Sequence, residues 1–184
     1  MSAEEIKQDC ETKAFTRLAG RIKKRFPRLP ILLLADSLYA SKPVMDLCRE
    51  YKWEFLIRYK KGSIPSIAEE YEKIPEKGKT EKAEFVNDID YDGKPVHVLR
   101  YREEKAGETT EFQWLSSIRI TKGNAEKMAE TGRKRWKIEN EGFNRQKNWQ
   151  GSITHTCSWD DQAQKNHYLI CLLYTSPSPR DAHE

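Results

Sequence analysis

An unbroken apolar run, Ile31–Ala35, does most to limit the folds open to this chain. A proline precedes the run and Asp36 ends it, so it predicts a short strand buried on both faces, as in sheets that helices cover. The next stretch, from Ser41-Lys42-Pro43 to about Tyr51, predicts a helix with proline in its tolerated first turn. Trp53–Tyr59 then has the aromatic and β-branched composition of a second strand. Strand, helix and strand in so short a length predict a βαβ unit and an α/β fold.

The segment before this unit is predicted to be a helix. Asp9 is placed to cap its start, and Pro27 ends it because proline cannot continue a helix. Basic residues near its end, Lys23–Arg25, suit the negative pole of the helix dipole. The apolar positions follow the helical period, and they are Phe15, Leu18, Ala19, Ile22 and Phe26.

Residues 63–120 have a different, β-rich character. A loop with a short helix at Ser66–Glu72 is predicted first. Two strands, Phe85–Ile89 and Val96–Tyr101, then flank Asp92-Gly93, a strong hairpin signal. Phe112–Ile120 predicts a further strand, which either belongs to an inserted β-rich segment or returns to the main sheet.

The remaining chain is predicted to be helical up to a short tail. Asn124 is expected to cap the first of these helices, and Gly132 leaves open whether one helix continues through it or two meet there. Ser158 and Asp161 resemble a capping box that starts the last helix. The predicted organisation is one domain with an insertion, divided into 1–62 (first part of the core), 63–120 (β-rich insertion), 121–170 (helical remainder of the core) and 171–184 (probable non-native tail).

Composition limits the class of protein. The net charge is +4, and no apolar run approaches the roughly 20 residues that a membrane span needs. The N-terminus lacks the plan of a secretory signal, so a cytosolic protein is expected. Cysteines form no Cys-x-x-Cys pair and are expected to be reduced and mostly buried; they are Cys10, Cys48, Cys157 and Cys171.

A basic stretch lies between Lys122 and Asn148, which contains eight Lys or Arg residues and four Glu residues. Such a stretch indicates either a polyanion partner or a solvated helix face. Within it, Arg135 and Glu139 are four residues apart and share one face of a regular α-helix. Glu139 is therefore either an ion-pair partner or a metal ligand. Asp36, at the end of a buried strand, is where open α/β sheets place ligand-binding groups, or else it caps the next turn.

Two such carboxylates have the chemistry of a Mg²⁺ phosphoryl-transfer site, because they are hard oxygen ligands that leave room for phosphate and water. The flanking residues, Ala35–Ala40 and Arg135–Glu139, resemble the blocks around the second and third acids of DDE transposases of bacterial insertion sequences. Lys165–Leu169 resembles the segment after the third acid. The resemblance implies a partial ribonuclease H-like domain with a β-rich insertion. It also implies metal-dependent DNA cleavage and strand transfer.

Carried over by position, Asp36 and Glu139 would be the catalytic metal ligands of a two-metal Mg²⁺ (or Mn²⁺) site, with DNA at transposon ends and target as partner. The expected DNA-binding residues are Arg133, Lys134, Arg135, Lys137 and Lys147. A homodimer of the full-length protein and a location in the bacterial cytoplasm are also implied. The alternatives are a DNA-binding module without chemistry and a metal-dependent nuclease on the same fold.

Two departures from the family pattern, Tyr-x2-Arg-x3-Glu-x6-Lys, bear on DNA contacts. Gly132 stands at the Tyr position, and the Lys position falls on Gln146, with Lys147 one residue later. No strand before Asp9 is predicted to carry the family's first Asp. Cys171–Asp181 resembles translated sequencing-adapter DNA. From these features this chain is expected not to cut DNA by itself.

Other reactive residues are expected to be structural. The four histidines, His97, His155, His167 and His183, lack metal-ligand spacing, and His97 is expected in a strand. Trp114, Trp149 and Trp159 are expected to pack rather than stack on bases. No histidine lies close to Ser37 in the sequence, so nucleophilic catalysis is not indicated.

Overall fold

The computed structural model of the chain describes residues 3–60, 62–105 and 108–144, together with 148, 160, 162–163, 165–167 and 169. The chain forms two compact units, Met1–Arg133 and Lys134–Glu184. The predicted tail 171–184 and Lys147 lie outside the described residues. Within the described parts of the chain, no helix combines the length and the apolar character that a bilayer crossing requires.

The predicted βαβ unit is confirmed. Strand β1 (Leu32–Ala35) is followed by a 3-10 turn (Ser37–Tyr39), helix α2 (Lys42–Tyr51) and strand β2 (Glu54–Arg58), after the first helix α1 (Ala3–Arg25). Strands β1 and β2 pair in parallel, with Ala35 opposite Ile57. Proline stands in the first turn of α2, and Lys52 ends that helix in the left-handed conformation.

Residues 63–120 extend the same sheet. Helix α3 (Pro65–Lys73) and four strands follow: β3 (Gly78–Lys79), β4 (Ala83–Tyr91), β5 (Lys94–Lys105) and β6 (Glu108–Ser116). The sheet order is β1-β2-β6-β5-β4-β3. Because β6 pairs antiparallel with β2 as well as with β5, the last strand returns to the main sheet. The predicted hairpin around Asp92-Gly93 is confirmed, with both turn residues at positive φ.

Period-two alternation gives each face of the sheet its own core. Phe55 and Ile57 point to one face, where α1, α2 and α3 pack, and Leu56 between them points to the other. Trp114 and Leu115 divide in the same way. On the second face helix α4 (Ala125–Lys137) covers the sheet through Met128 and other residues. Helices on both faces of a mixed six-stranded sheet confirm the α/β class and agree with a ribonuclease H-like domain.

Helix α4 runs without interruption through Gly132 and is followed by a π-helix, Ile138–Phe143. Asn124 directly precedes α4, and its side-chain oxygen accepts a hydrogen bond from the Thr121 N–H. The last predicted helix falls largely outside the described residues. Near its start, the Asp160 carboxylate accepts a hydrogen bond from the Ala163 N–H at 2.7 Å.

Two local predictions are wrong. Asp9 does not cap α1, because the helix begins at Ala3 and Asp9 lies within it; residues 3–8 are mostly good helix formers and extend it toward the N-terminus. Strand β1 is not buried on both faces, because it is an edge strand that pairs with β2 alone among the described residues. Leu32 is accordingly 37% exposed, and only Ala35 in β1 is buried.

Three of the residues predicted to be structural are packed in the core, whereas His167 is exposed. Trp114 is 2% exposed, His97 lies in β5 at 5%, and Cys48 is a fully buried free thiol. Burial raises the pKa of the Cys48 thiol to about 11, so it is protonated and unreactive at neutral pH. Trp149, Trp159 and the remaining cysteine side chains lie outside the description.

Candidate active site

Asp36 directly follows β1, where that strand and the parallel β2 end at the same edge of the sheet. Its backbone is extended, and its Oδ1 accepts a hydrogen bond from the Leu38 N–H at 3.0 Å, which caps the 3-10 turn. Capping uses one lone-pair site of a carboxylate that has about four. The half-buried Asp36 carboxylate is therefore held in one orientation and keeps capacity for a further ligand.

The turn after Asp36 packs against α1. The ring of Tyr39 meets that of Phe15 edge-on, with centroids 5.4 Å apart. Burial raises the pKa of the Tyr39 phenol, and the negative charges of Glu11 and Asp36 raise it further. Within the described residues, however, no three His, Cys, Asp or Glu side chains come together as a metal site.

Glu139 occupies the second position of the π-helix that follows α4. Its side chain is not among those described. The backbone changes from α to π geometry at Ile138. The positions of Arg135 and Glu139 around the helix axis therefore differ from those in a regular α-helix, in which the two residues would share one face. Trp136 and Ile138, which flank this point, are 61% and 58% exposed. Single π turns occur often at functional sites, so the local backbone is compatible with a ligand-bearing helix.

The predicted DNA-binding residues fall into different environments. Arg133 forms an ion pair with Glu103 of β5, and its guanidinium lies over the Phe112 ring at 4.9 Å. It is thus packed against the sheet. Lys134 is exposed and Arg135 half-buried. The exposed Lys137 lies 3.6 Å from the Glu141 carboxylate.

Gly132, at the Tyr position of the family pattern, lies directly against Trp114. A Cβ atom built on Gly132 would stand 2.5 Å from the indole Nε1 and 2.6 Å from Cε2. No side chain fits there unless the indole moves, and Trp114 is itself enclosed. The close helix–sheet packing therefore explains the glycine at this position.

A second group of basic residues lies outside the stretch 122–148, between Thr12 and Ala35, and it can be recognised in the sequence. No Asp or Glu occurs between Thr12 and Ala35. Seven basic residues occur there, namely Lys13, Arg17, Arg21, Lys23, Lys24, Arg25 and Arg28. Except for Arg28, they lie on α1, the helix that packs against Tyr39.

Comparison with known proteins identifies the family. The family model described as the transposase DDE domain matches residues 8–175, nearly the whole chain. Searches of curated proteins and of solved structures each returned no significant match. The matched range includes both Asp36 and Glu139, the βαβ unit and the strands that extend its sheet. The chain therefore belongs to the transposase DDE domain family.

Proposed function

We propose that Asp36 and Glu139 are metal-binding acids of a transposase domain that cleaves DNA at transposon ends and transfers the strand to a target. The observation that carries the proposal is the position of Asp36: its carboxylate follows a parallel strand at the sheet edge and is oriented by the Leu38 N–H. Family membership supplies the reaction class, since transposition requires a nuclease activity.

The chemistry of the two acids fits Mg²⁺ or Mn²⁺. Both offer hard carboxylate oxygens, and Asp36 retains acceptor capacity beyond its capping hydrogen bond. When bound, such ions activate water and stabilise the charge that develops at the phosphate. The Leu38 N–H holds the Asp36 carboxylate in place, which lowers the entropy cost of forming the site.

The last turn of α4 would hold DNA phosphate near these acids. Lys134 is exposed, and Lys137 pairs with the exposed Glu141, a pairing that is weak in water. Arg135 and Lys147 are proposed for the same task from the family pattern. Arg133 contributes less to DNA binding in this proposal, because Glu103 and Phe112 already hold its guanidinium.

A metal-binding measurement tests the proposal independently of turnover. We expect Asp36→Asn and Glu139→Gln each to weaken Mn²⁺ binding to the full chain at least about tenfold, or 1.4 kcal/mol, by calorimetry. Glu141→Gln, two residues from Glu139, is the matched control and should bind as the parent does. Equal Mn²⁺ affinity in all three variants would reject the metal site. Retained DNA binding in that case would favour the module without chemistry.

The expectation that this chain alone does not cut DNA is tested separately. Purified chain is incubated with supercoiled plasmid and Mg²⁺ or Mn²⁺, and nicking is followed on a gel. We expect no nicking above buffer. Nicking that disappears in Asp36→Ala would contradict that expectation while supporting the assignment of Asp36. We further propose a homodimer for the full-length protein and a location with the DNA, in the bacterial cytoplasm.

A further inference from the structure

Helix α1 has a buried face and, opposite to it, a basic face. Phe15, Ala19 and Ile22 pack into the core. Successive residues of an α-helix are about 100° apart, so Arg17, Arg21 and Lys24 fall within about 60° of arc on the opposite side. We call the exposed cations of this helix and the turn after it the basic stripe: Arg17, Arg21, Lys24, Arg25 and Arg28.

The cations of the basic stripe form no ion pair with any described residue. Lys23, on the inner side, behaves differently, because its Nζ donates to the backbone carbonyls of Pro27 and Tyr51 at 2.8 Å each. The contrast comes from position, because Lys23 reaches backbone carbonyls whereas the stripe residues point outward, and no acidic residue between Thr12 and Ala35 is available to pair with them. The stripe is thus a row of positive charge without local compensation.

Stabilisation of the helix dipole accounts for only part of this row. The effect is confined to the last turn, where Lys24 and Arg25 lie. Arg21 and Arg17 stand about one and two turns earlier, too far to contribute. They are exposed and have no ion-pair partner in the part of the chain that the structure describes, which favours an external polyanion as their electrostatic partner.

We propose that the basic stripe binds the sugar–phosphate backbone of duplex DNA, as a second DNA surface besides the end of α4. The proposal rests on DNA being the substrate of the proposed function, but it does not require metal. Arg17 and Lys24 are about 10 Å apart along the helix axis. That distance is close to three phosphate steps of one strand, at about 3.4 Å each.

The stripe also leads toward Asp36. Near the middle of α1, just before Arg17 where the stripe begins, Phe15 contacts Tyr39 in the turn after Asp36. At the other end, Lys23 is bonded to the end of α2. DNA that follows the stripe therefore runs along the outside of α1 toward the edge of the sheet that carries Asp36.

An anionic membrane is the competing partner for a basic helix, and α1 suits it less well. Membrane-surface helices bury their apolar face in lipid. The apolar face of α1 is already packed in the core through Phe15, Ala19 and Ile22. What remains outside is scattered, namely Leu18, Phe26 and Leu29, each about half exposed.

The test is the salt dependence of DNA binding by the full chain, in EDTA so that metal binding does not enter. A fluorescent duplex of about 20 base pairs is titrated at several salt concentrations. The variant Arg17→Gln/Arg21→Gln/Lys24→Gln should lower the slope of log K against log salt by about 2 to 3, because each phosphate contact contributes about 0.9. Its dissociation constant near 0.1 M salt should rise at least about tenfold.

The control removes the same charge from residues that already have partners. Lys73→Gln/Lys94→Gln/Arg102→Gln takes away cations paired with Glu70, Asp46 and Glu111, and it should change the slope by less than about 1. Arg17→Lys/Arg21→Lys keeps the charge and should bind as the parent does. Equal loss in the two Gln variants overturns the proposal.

A second set of measurements distinguishes DNA from an anionic membrane as the partner, and distinguishes failure of the stripe from failure of the metal site. Sedimentation with phosphatidylserine vesicles should show no stripe-dependent binding; vesicle binding lost in the stripe variant while DNA binding persists would overturn the DNA assignment. If the proposed metal site is wrong, only the Mn²⁺ titration will show it. If the proposed DNA binding by the stripe is wrong, only the slope of log K against log salt will show it.

Discussion

Helix α1 and the sheet extension of residues 63–120 both carry Lys and Arg side chains, but the two regions differ in whether those side chains have acidic partners. In the extension, basic side chains form ion pairs with carboxylates. Arg100 pairs with Glu72 and Glu111, Arg102 pairs with Glu111, and Arg119 pairs with Asp88. On α1 the cations of the basic stripe meet none among the described residues. A count of Lys and Arg therefore does not identify a DNA surface; the local supply of acidic partners separates structural cations from available ones.

Arg100 shows how far this pairing goes in the extension. Its guanidinium lies over the Tyr71 ring at 4.6 Å and within 3.3 Å of both Glu72 and Glu111. Glu84 is 3.8 Å away and accepts a hydrogen bond from the Tyr71 hydroxyl. The Arg100 Nε is buried and faces Glu111 without the alignment of a full hydrogen bond. This cluster fastens α3 to strands β4, β5 and β6.

The largest expected effect is the difference between two arginines. Arg100→Ala should lower the free energy of unfolding by about 3 kcal/mol, because it removes a half-buried guanidinium that covers the buried Tyr71 ring and pairs with the half-buried Glu84. Arg21→Ala should change it by no more than about 0.5 kcal/mol, since Arg21 is exposed and has no ion-pair partner among the described residues. Urea unfolding of both variants measures the difference. Similar losses would show that α1 cations also hold the fold together.

Asn87 connects the extension to helix α4. At a bulge in β4 its side chain donates to the Ile120 carbonyl and accepts from the Ile120 N–H, at 2.8 and 2.9 Å. Asn87→Ala should cost about 2 kcal/mol in urea unfolding, since the buried Ile120 loses both partners. Asn124→Ala, in the same connection but with hydrogen bonds that are exposed to water, should cost less than 1 kcal/mol, less than half as much. The same cost for both would mean that water replaces the Asn87 contacts.

Two helical glycines should respond to alanine with opposite signs. Gly132→Ala should destabilise the protein by about 1 to 2 kcal/mol, because the new methyl group would overlap the Trp114 indole. In Gly20→Ala the methyl group would stand 3.7 Å from the Tyr51 hydroxyl, an ordinary contact, so better helix propensity should stabilise α1 by about 0.5 kcal/mol. Thermal melting gives both signs. A stabilising Gly132→Ala would contradict the close helix–sheet packing.

The smallest expected effect is a pH dependence from His97. Burial lowers its pKa below 6.5, although Asp88 acts in the opposite direction and Arg119 reinforces the shift. As pH falls below 6.5 the unfolded chain takes up a proton that the folded chain excludes, so stability decreases with falling pH. His97→Gln should remove that part of the slope while keeping an acceptor for the Asp88 N–H, which His97 Nδ1 binds at 3.1 Å. An unchanged slope in this variant would contradict the assignment.

Local patterns predicted much of the fold. The apolar run before Asp36, the proline near the start of α2 and Asp92-Gly93 each act over a few residues, and the structure has the expected strand, helix and hairpin there. Long-range pairing was not available from such patterns. The antiparallel contact of β6 with β2 and the bulge at Asn87 depend on residues far apart in the chain. Leu18 and Phe26 fit the helical period but are half exposed, since period alone does not say what covers a face.

The candidate site was predictable to the same extent. Asp36 could be identified because its position depends on one strand and the turn after it. The fixed position of Arg133 could not, because Glu103 and Phe112 come from distant strands. Gly132 departs from the family pattern, and its reason, the Trp114 indole packed against it, also depends on a distant strand. The metal-binding roles of Asp36 and Glu139 both stay predictions.

The most direct measurement of the central claim is a crystal structure of the chain grown with Mn²⁺, whose anomalous scattering locates the ions. The proposed metal site predicts Mn²⁺ with carboxylate oxygens of both Asp36 and Glu139 among its ligands, at a little over 2 Å. A pair of ions about 4 Å apart could bridge somewhat more widely spaced acids. Carboxyl groups of Asp36 and Glu139 lying further apart than roughly 10 Å, beyond such bridging, would contradict it.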